Sequence, residues 1–455
     1  MNSNDFIQAV SLLTDKNGVH LLPYIEDMRL REHAVLIVNL AGDDGFAQIN
    51  AYVSEHYTDT AAAGIAALAG AGGCREIVIY SGETEADKLY GMVRAVTGAE
   101  VSMISGPASP VLRDETALFS VMDTGLIRVN RAEHDYNRNC INGGNIKSDA
   151  ARNCVNGGSD NSYISYGYHG CPTLVIDGET AYQAGRLSLA PDAELTKLIS
   201  ITSGGTSVGS SGGTDGGTVI MEAAIGSPMS ALLNEHDTGR PILIGGICGS
   251  VLSGDVLEGL KVRFSYEHDS IRVFSPTDCV IDELAGLYSG IREISCAKCV
   301  MCRDGSWQLS AVLSDITKGR SNRDDIALIE DICPIIHAGA LCAFGKNMVD
   351  PIMSAVEVYR GEFEKHVIGR RCDKGKCSGL VKYVIDPSLC TGCGDCTDEC
   401  PEEAIDGQGG FIHVIDDKLC EKCGKCVDVC PERAIKVDTG EIRALKKPVR
   451  VGRFS

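Results

Sequence analysis

Two runs of cysteine near the end of the chain share one spacing: Cys390, Cys393, Cys396 and Cys400-Pro401, then Cys420, Cys423, Cys426 and Cys430-Pro431. Both read C-x2-C-x2-C-x3-C-P, and the second begins thirty residues after the first. Thiolates stepped by three can close on one iron–sulfur cubane, and in paired runs of this kind the last cysteine of each run reaches the other's cluster. The spacing predicts one [4Fe–4S] site from Cys390, Cys393, Cys396 and Cys430, and a second from Cys420, Cys423, Cys426 and Cys400. The chemistry such sites support is the transfer of single electrons. Zinc is the plain alternative, because paired C-x2-C knuckles bind it. A zinc site usually takes its four ligands as two pairs, whereas here three cysteines step by three and a fourth precedes proline, twice over.

A third group is less complete. Cys296, Cys299 and Cys302 have the same steps but no fourth cysteine close by; Cys342 follows forty residues later. Three ligands on a turn and one on a distant helix predict a third [4Fe–4S] site. Twelve cysteines are thus candidate ligands for three clusters. His366 with Cys372 and Cys377 is a candidate for part of a zinc site. Cys333 and His337 read as core or surface residues on a helix. Cys74, Cys171, Cys248 and Cys279 read as buried apolar thiols. Cys140 and Cys154 sit in a short repeat, Arg138–Gly144 and Arg152–Gly158, within a polar stretch. That repeat reads as a duplicated surface loop, with a redox pair or metal ligands as the functional alternative.

The elements that must position these cysteines follow from pattern. At 455 residues the chain is long enough for three or four domains of ~100–200 residues. Ala34–Leu40 and Glu76–Tyr80 are apolar strands, Val101–Ile104 is a third, and Thr60–Ala71 and Glu85–Val96 are helices between them, the latter ending at Gly98. Strand–helix alternation predicts an α/β layer with parallel strands. Glycines at 70, 72 and 73 follow a helix and precede a strand, the reverse of a dinucleotide fingerprint. Residues 196–275 alternate strand-like pieces with glycine, 203–217 forms a long loop, and Ser227-Pro228 starts a short helix by capping. From Cys279 to His366 the pattern is helical, with Leu309, Leu313 and Ile316 on one face and Ile326, Ile329 and Cys333 on another. The fold class is α/β.

Charge and compartment narrow the function. A net charge of −20 disfavours a nucleic-acid partner. The basic end, Arg443, Lys446, Lys447, Arg450 and Arg453, reads as a solvated or docking tail. Twenty-one cysteines in a chain of this size, with no signal-peptide pattern and no membrane span, predict a reducing cytoplasm, with an anaerobic source.

Around the cysteines the chain resembles a known family. Ser295–Gly305 (SCAKCVMCRDG) is similar to the ESCGKCTPCREG motif of the flavin-bearing, NADH-oxidising subunit of respiratory complex I, and Ala340–Gly345 resembles that family's distal ligand segment. Gly170–Val175 with Glu179-Thr180 resembles GCPTVVNNVET, and Asp114–Leu118 resembles GEETALLES. The two-cluster ferredoxin end, preceded by Cys372-x4-Cys377, resembles the version found in NADH-linked [FeFe]-hydrogenases and electron-bifurcating complexes. The resemblance implies four domains: a degenerate flavin/NADH-binding α/β domain at 1–190, a β-grasp-like soluble-ligand-binding module at 191–275, a helical [4Fe–4S] domain at 276–370, and a bacterial-type two-cluster ferredoxin domain with its basic tail at 371–455.

Departures from the family bear on its cofactor. The glycine-rich GRGGAGFPTG loop that cradles flavin phosphate is not found. The NADESEPG segment is reduced to Asn39 and a shifted acidic pair, Asp43-Asp44. The paired asparagines become Ile176 and Asp177; Ile176 cannot hydrogen-bond flavin and Asp177 would repel a phosphate. FMN is not expected. The function expected is an iron–sulfur electron-transfer subunit of a soluble, anaerobic, multi-subunit oxidoreductase, with no catalytic residue of its own. Its partners would be other redox subunits, such as a ferredoxin or a thioredoxin-like [2Fe–2S] subunit. An NADH-dependent, FMN-containing subunit and a structural docking subunit are the alternatives.

Overall fold

The computed structural model describes residues 3–453 apart from 32, 83–85, 128–166, 204–216, 235–236, 238, 378 and 439–441. The Cys140/Cys154 repeat and most of the 203–217 loop lie outside the described residues. The described chain divides into two compact units: 1–276 with 287–308 and 330–358, and 277–286 with 309–329 and 359–455.

The first unit is built on a parallel sheet. An apolar run without alternation makes a strand buried on both faces, and β1 (Val35–Asn39) is buried throughout. β2 (Glu76–Ser81), β3 (Glu100–Ser105) and β4 (Thr173–Asp177) complete the order β3-β2-β1-β4, all parallel. The Ala-rich helix Thr58–Gly72 connects β1 to β2 and ends on left-handed Gly73, φ 68°. That glycine cluster therefore closes a helix. The helix Asp87–Val96 connects β2 to β3. It does not end on a left-handed Gly98: Thr97 turns extended, and its N–H reaches the Val93 carbonyl at 3.1 Å. The chain is then already aligned to enter β3. Helices Thr58–Gly72 and Gly178–Leu189 touch through glycine; a Cβ at Gly64 would lie 2.0 Å from the Ala181 carbonyl oxygen.

A mixed sheet follows in the same unit: β5 (Thr196–Ser203), β6 (Thr218–Ala224), β7 (Pro241–Ile244), β8 (Ser250–Ser253) and β9 (Ser270–Val273), in the order β6-β5-β9-β7-β8. β5 and β9 run parallel and the other pairs antiparallel. The helix expected at Ser227-Pro228 is one 3-10 turn, Met229–Leu232, entered from extended Pro228. Ser227 does not cap it, because its hydroxyl donates backward to the Ala224 carbonyl at 2.6 Å. The long helices Val280–Ile294, Val300–Thr317 and Asp325–Gly339 follow, and Leu309, Leu313, Ile316, Ile326, Ile329 and Cys333 are all buried.

In the second unit the cysteine runs hang on short antiparallel strands. β10 (Tyr383–Ile385) pairs with β14 (Ile435–Val437), and β11 (Ile405–Asp406) pairs with β13 (Val414–Ile415). The opening strand of the first half thus joins the closing strand of the second. The basic end is not a free tail: β15 (Val449–Arg450) folds back on β12 (Phe411–Ile412), where two backbone pairings hold it. No described helix is long and apolar enough to cross a membrane.

Candidate functional site

Two recesses in the second unit collect the paired cysteine runs. One is lined by Cys390, Cys393, Cys396 and Cys430; the other by Cys400, Cys420, Cys423 and Cys426. These are the crossed sets that the spacing predicts. Tight turns aim the thiols: Gly392 and Lys422 take left-handed conformations between the first two cysteines of each run, and Gly394 and Gly424 between the second and third. Backbone amides already donate to sulfur, from Ala404 to Cys400 at 3.3 Å, Ala434 to Cys430 at 3.3 Å and Lys422 to Cys420 at 3.4 Å. Amides aimed at sulfur stabilise thiolate over thiol. The residues fit cubane clusters.

The third group converges in the first unit. Left-handed Ala297 turns the chain between Cys296 and Cys299. Cys302 lies 3.3 Å from the Ser295 hydroxyl and 3.9 Å from the Met348 sulfur. Cys342 precedes the short helix Ala343–Asn347 and accepts from the Gly345 amide at 3.4 Å. A Cβ on Gly345 would stand 3.0 Å from Ala340 Cβ and 3.7 Å from Cys302 Sγ, so the two segments are in contact here. The neighbouring Cys302 thiol pulls Cys299 down to about 5. Burial pushes Cys342 up to about 12, and Cys296 and Cys299 beside it add to the shift. Cys333 is also pushed up to about 12, but by burial and Asp350, with no thiol acting on it. The fourth thiol near this group is Cys342.

A fourth constellation corrects the sequence reading. Cys279 is not simply an apolar thiol. Its sulfur lies 3.3 Å from His366 Nε2 and 3.6 Å from Cys377 Sγ, and with Cys372 the four donor atoms lie within 4.8 Å of one another, all buried. Four thiolate or imidazole donors at about 2.0–2.3 Å from one ion stand roughly 3.5–3.8 Å apart. The spacing suits a single tetrahedral ion and is too tight for a cubane. His366 Nδ1 faces the Glu362 carbonyl at 2.8 Å, which leaves Nε2 free to ligate. The Cys279 and Cys377 thiols hold Cys372 well below the usual thiol range.

The chain matches the family described as NADH-ubiquinone oxidoreductase-F iron-sulfur binding region over residues 283–366, and a 4Fe-4S dicluster domain over 382–431. It is 31% identical over 258 residues to NADP-reducing hydrogenase subunit HndC of Solidesulfovibrio fructosivorans, covering 53% of this chain and 52% of that one. It is 26% identical over 219 residues to the F subunit of NADH-quinone oxidoreductase from Streptomyces coelicolor, covering 45% and 49%. This chain is their homologue and carries two iron–sulfur domains. It spans about half the length of these curated relatives. In fold it is similar to a chain of an NAD+-reducing [NiFe]-hydrogenase in the air-oxidized state, with TM-score 0.62 and 17% identity over 80% of this chain and 63% of that one.

The resemblance raises the question of a flavin. In an open parallel sheet, ligands sit beyond the carboxyl ends of the strands where the order reverses, here between β1 and β4. That place is filled by the protein's own charges. Lys16, fully buried, lies 2.9 Å from Asp177, 2.8 Å from Glu179 and 3.0 Å from Asp269. Lys197 pairs with Glu179 at 2.6 Å and with Asp269. Arg113 stacks on Tyr266 at 4.2 Å and donates to the Gly42 carbonyl at 2.8 Å. Asp177 uses its own carboxylate to cap the helix that follows, accepting from the Thr180 amide at 2.8 Å. Ile176 is buried. Asp43, Asp44, Asp177, Glu179 and Asp269 supply five carboxylates against the three cations Lys16, Arg113 and Lys197. Among the described residues this place does not fit a flavin phosphate: the Gly178 and Thr180 amides are taken by Asn50 and Asp177, and carboxylates outnumber cations five to three. The residues that fill it went unseen in the sequence, because Lys16, Lys197 and Asp269 come from three distant segments with no shared motif.

Burial raises the Asp43 carboxyl to about 7, with Lys16 opposing the shift. In the unfolded chain it titrates near ~3.9. Between those values the folded state holds a proton that the unfolded state has lost, so stability falls as pH rises through that window. The melting temperature should drop between about pH 4.5 and 7 and level off above. Asp43→Asn should remove about one proton's worth of that slope. An unchanged slope in the variant would show that Asp43 ionises freely.

Proposed function

We propose that this chain is an iron–sulfur electron-transfer subunit of a soluble multi-subunit oxidoreductase. The observation that carries the reading is the pair of recesses, each bounded by four cysteines in crossed sets. A [4Fe–4S] cluster, when bound, accepts and releases one electron at a time. The protein's part is ligation by Cys390, Cys393, Cys396 and Cys430, by Cys420, Cys423, Cys426 and Cys400, and by Cys296, Cys299, Cys302 and Cys342. Amides from Ala404, Lys422, Ala434 and Gly345 orient four of these thiolates. The names of the relatives, subunits of a hydrogenase and of NADH-quinone oxidoreductase, support a place among other redox subunits. An NADH-dependent flavin role would need a phosphate cradle that the strand-end carboxylates oppose. The domain division expected from the sequence, with boundaries near 190, 275 and 370, remains part of this reading.

Anaerobically prepared protein should hold about twelve iron atoms, four for each of three sites. Cys342→Ser should lower this to about eight and remove one EPR signal while the two ferredoxin-type signals persist. A variant that keeps all three signals would rule out Cys342 as a ligand.

We propose further that Cys279, His366, Cys372 and Cys377 bind one zinc ion with a structural role, since all four are protein ligands and none of the donors is exposed. About one zinc per chain should be found, and Cys279→Ser should release it with the iron content intact. Loss of iron rather than zinc in that variant would contradict the assignment.

A further inference from the structure

The two halves of the ferredoxin segment differ at several positions that line a recess, Thr391 against Glu421 among them, and at one of these the difference sets a histidine beside a cysteine sulfur. Seven residues before the first cysteine of each run stands Tyr383 in one half and His413 in the other. Each side chain crosses over, as the fourth cysteine does. Tyr383 lines the recess of Cys400, Cys420, Cys423 and Cys426, and His413 that of Cys390, Cys393, Cys396 and Cys430.

The histidine is placed tightly. It is 2% exposed. Gly407, at φ +159°, backs the ring so closely that a Cβ there would lie 2.3 Å from its Cδ2. Nδ1 stands 4.0 Å from Cys390 Sγ, while Nε2 is buried with no hydrogen-bond partner among the described residues. A neutral imidazole carries one N–H. On Nε2 that proton would be a buried donor facing nothing, which is costly. On Nδ1 it faces sulfur. The surroundings therefore select the Nδ1–H tautomer. The Phe411 carbonyl is a second acceptor for the ring's N–H.

We propose that His413 donates its Nδ1 proton to Cys390 Sγ and so makes the cluster of that recess the easier of the two ferredoxin clusters to reduce. A hydrogen bond to a ligating sulfur favours the more negative, reduced state. Tyr383, whose hydroxyl oxygen would lie 3.2 Å from a Cβ on Gly424, offers the other recess an aromatic ring in the same place. An electron shared between the two sites would then rest on the Cys390 side. The inference depends on the ligand sets proposed above; it adds an order between them.

The test uses the full chain, prepared anaerobically with its clusters, and a potentiometric titration followed by EPR. His413→Phe should lower the midpoint of one ferredoxin-type signal, so that at a fixed potential its reduced-to-oxidised ratio falls roughly three- to tenfold, the weight of one hydrogen bond. The other signal should stay in place. Tyr383→His should raise the midpoint of the second signal, and this variant carries the test alone if His413→Phe folds poorly. Iron analysis of the same samples checks the ligand sets separately. Full iron with both midpoints unmoved in both variants would overturn the proposal.

Discussion

The buried ammonium of Lys16 needs carboxylates around it, and it finds Asp177, Glu179 and Asp269 at 2.8–3.0 Å. A charge taken from water is tolerated only when it is paired, and breaking such a pair leaves an uncompensated charge that is strongly destabilising. The cluster therefore fixes the end of β4, the start of the helix after it, and the approach of β5 and β9 through Lys197 and Asp269. It also decides what the parallel sheet can do. The place where sheets of this kind receive a ligand is committed to the protein's own ions, with an excess of negative charge. What remains for redox chemistry is thiolate.

The thiolates obey a different constraint. No single segment brings together all four residues of any of these groups. Each ferredoxin recess borrows its fourth cysteine from the other run, and Cys342 reaches the turn at Cys296 from forty residues away. Folding must come first in one respect: β10 must pair with β14, and β11 with β13, for the crossed sets to meet. Local turn geometry then does the aiming, through left-handed Gly392, Lys422 and Ala297 and through amides that point at sulfur. The Cys279 group follows the same logic at closer quarters, where 3.3–3.6 Å separations suit one ion rather than a cubane.

Legibility in the sequence tracked the range of the interaction. The strands Ala34–Leu40 and Glu76–Tyr80 and the helix near Thr60 could be read because apolar runs and small residues act locally. The crossed cysteines could be read because their spacing is rigid chemistry. Ser227 misled because its hydroxyl had a nearer partner in the Ala224 carbonyl than the helix amides. The basic end looked free because backbone pairing between β12 and β15 leaves no side-chain signature. Cys279 lies 87 residues from His366, and a lone cysteine carries no spacing to interpret. The Lys16 cluster was illegible for the same reason, being assembled from segments near 16, 113, 177, 197 and 269.

The claim that this chain relays electrons without hosting a flavin is tested most directly by offering it one. The intact protein, anaerobic and with its iron in place, is incubated with FMN and NADH, and reduction of an artificial one-electron acceptor is followed. Hydride transfer from a nicotinamide needs a two-electron carrier held against it, so the account predicts no turnover above a control without protein. Turnover of order 1 s⁻¹ or more, the range of a working enzyme, would contradict it and return the strand-end site to a catalytic role.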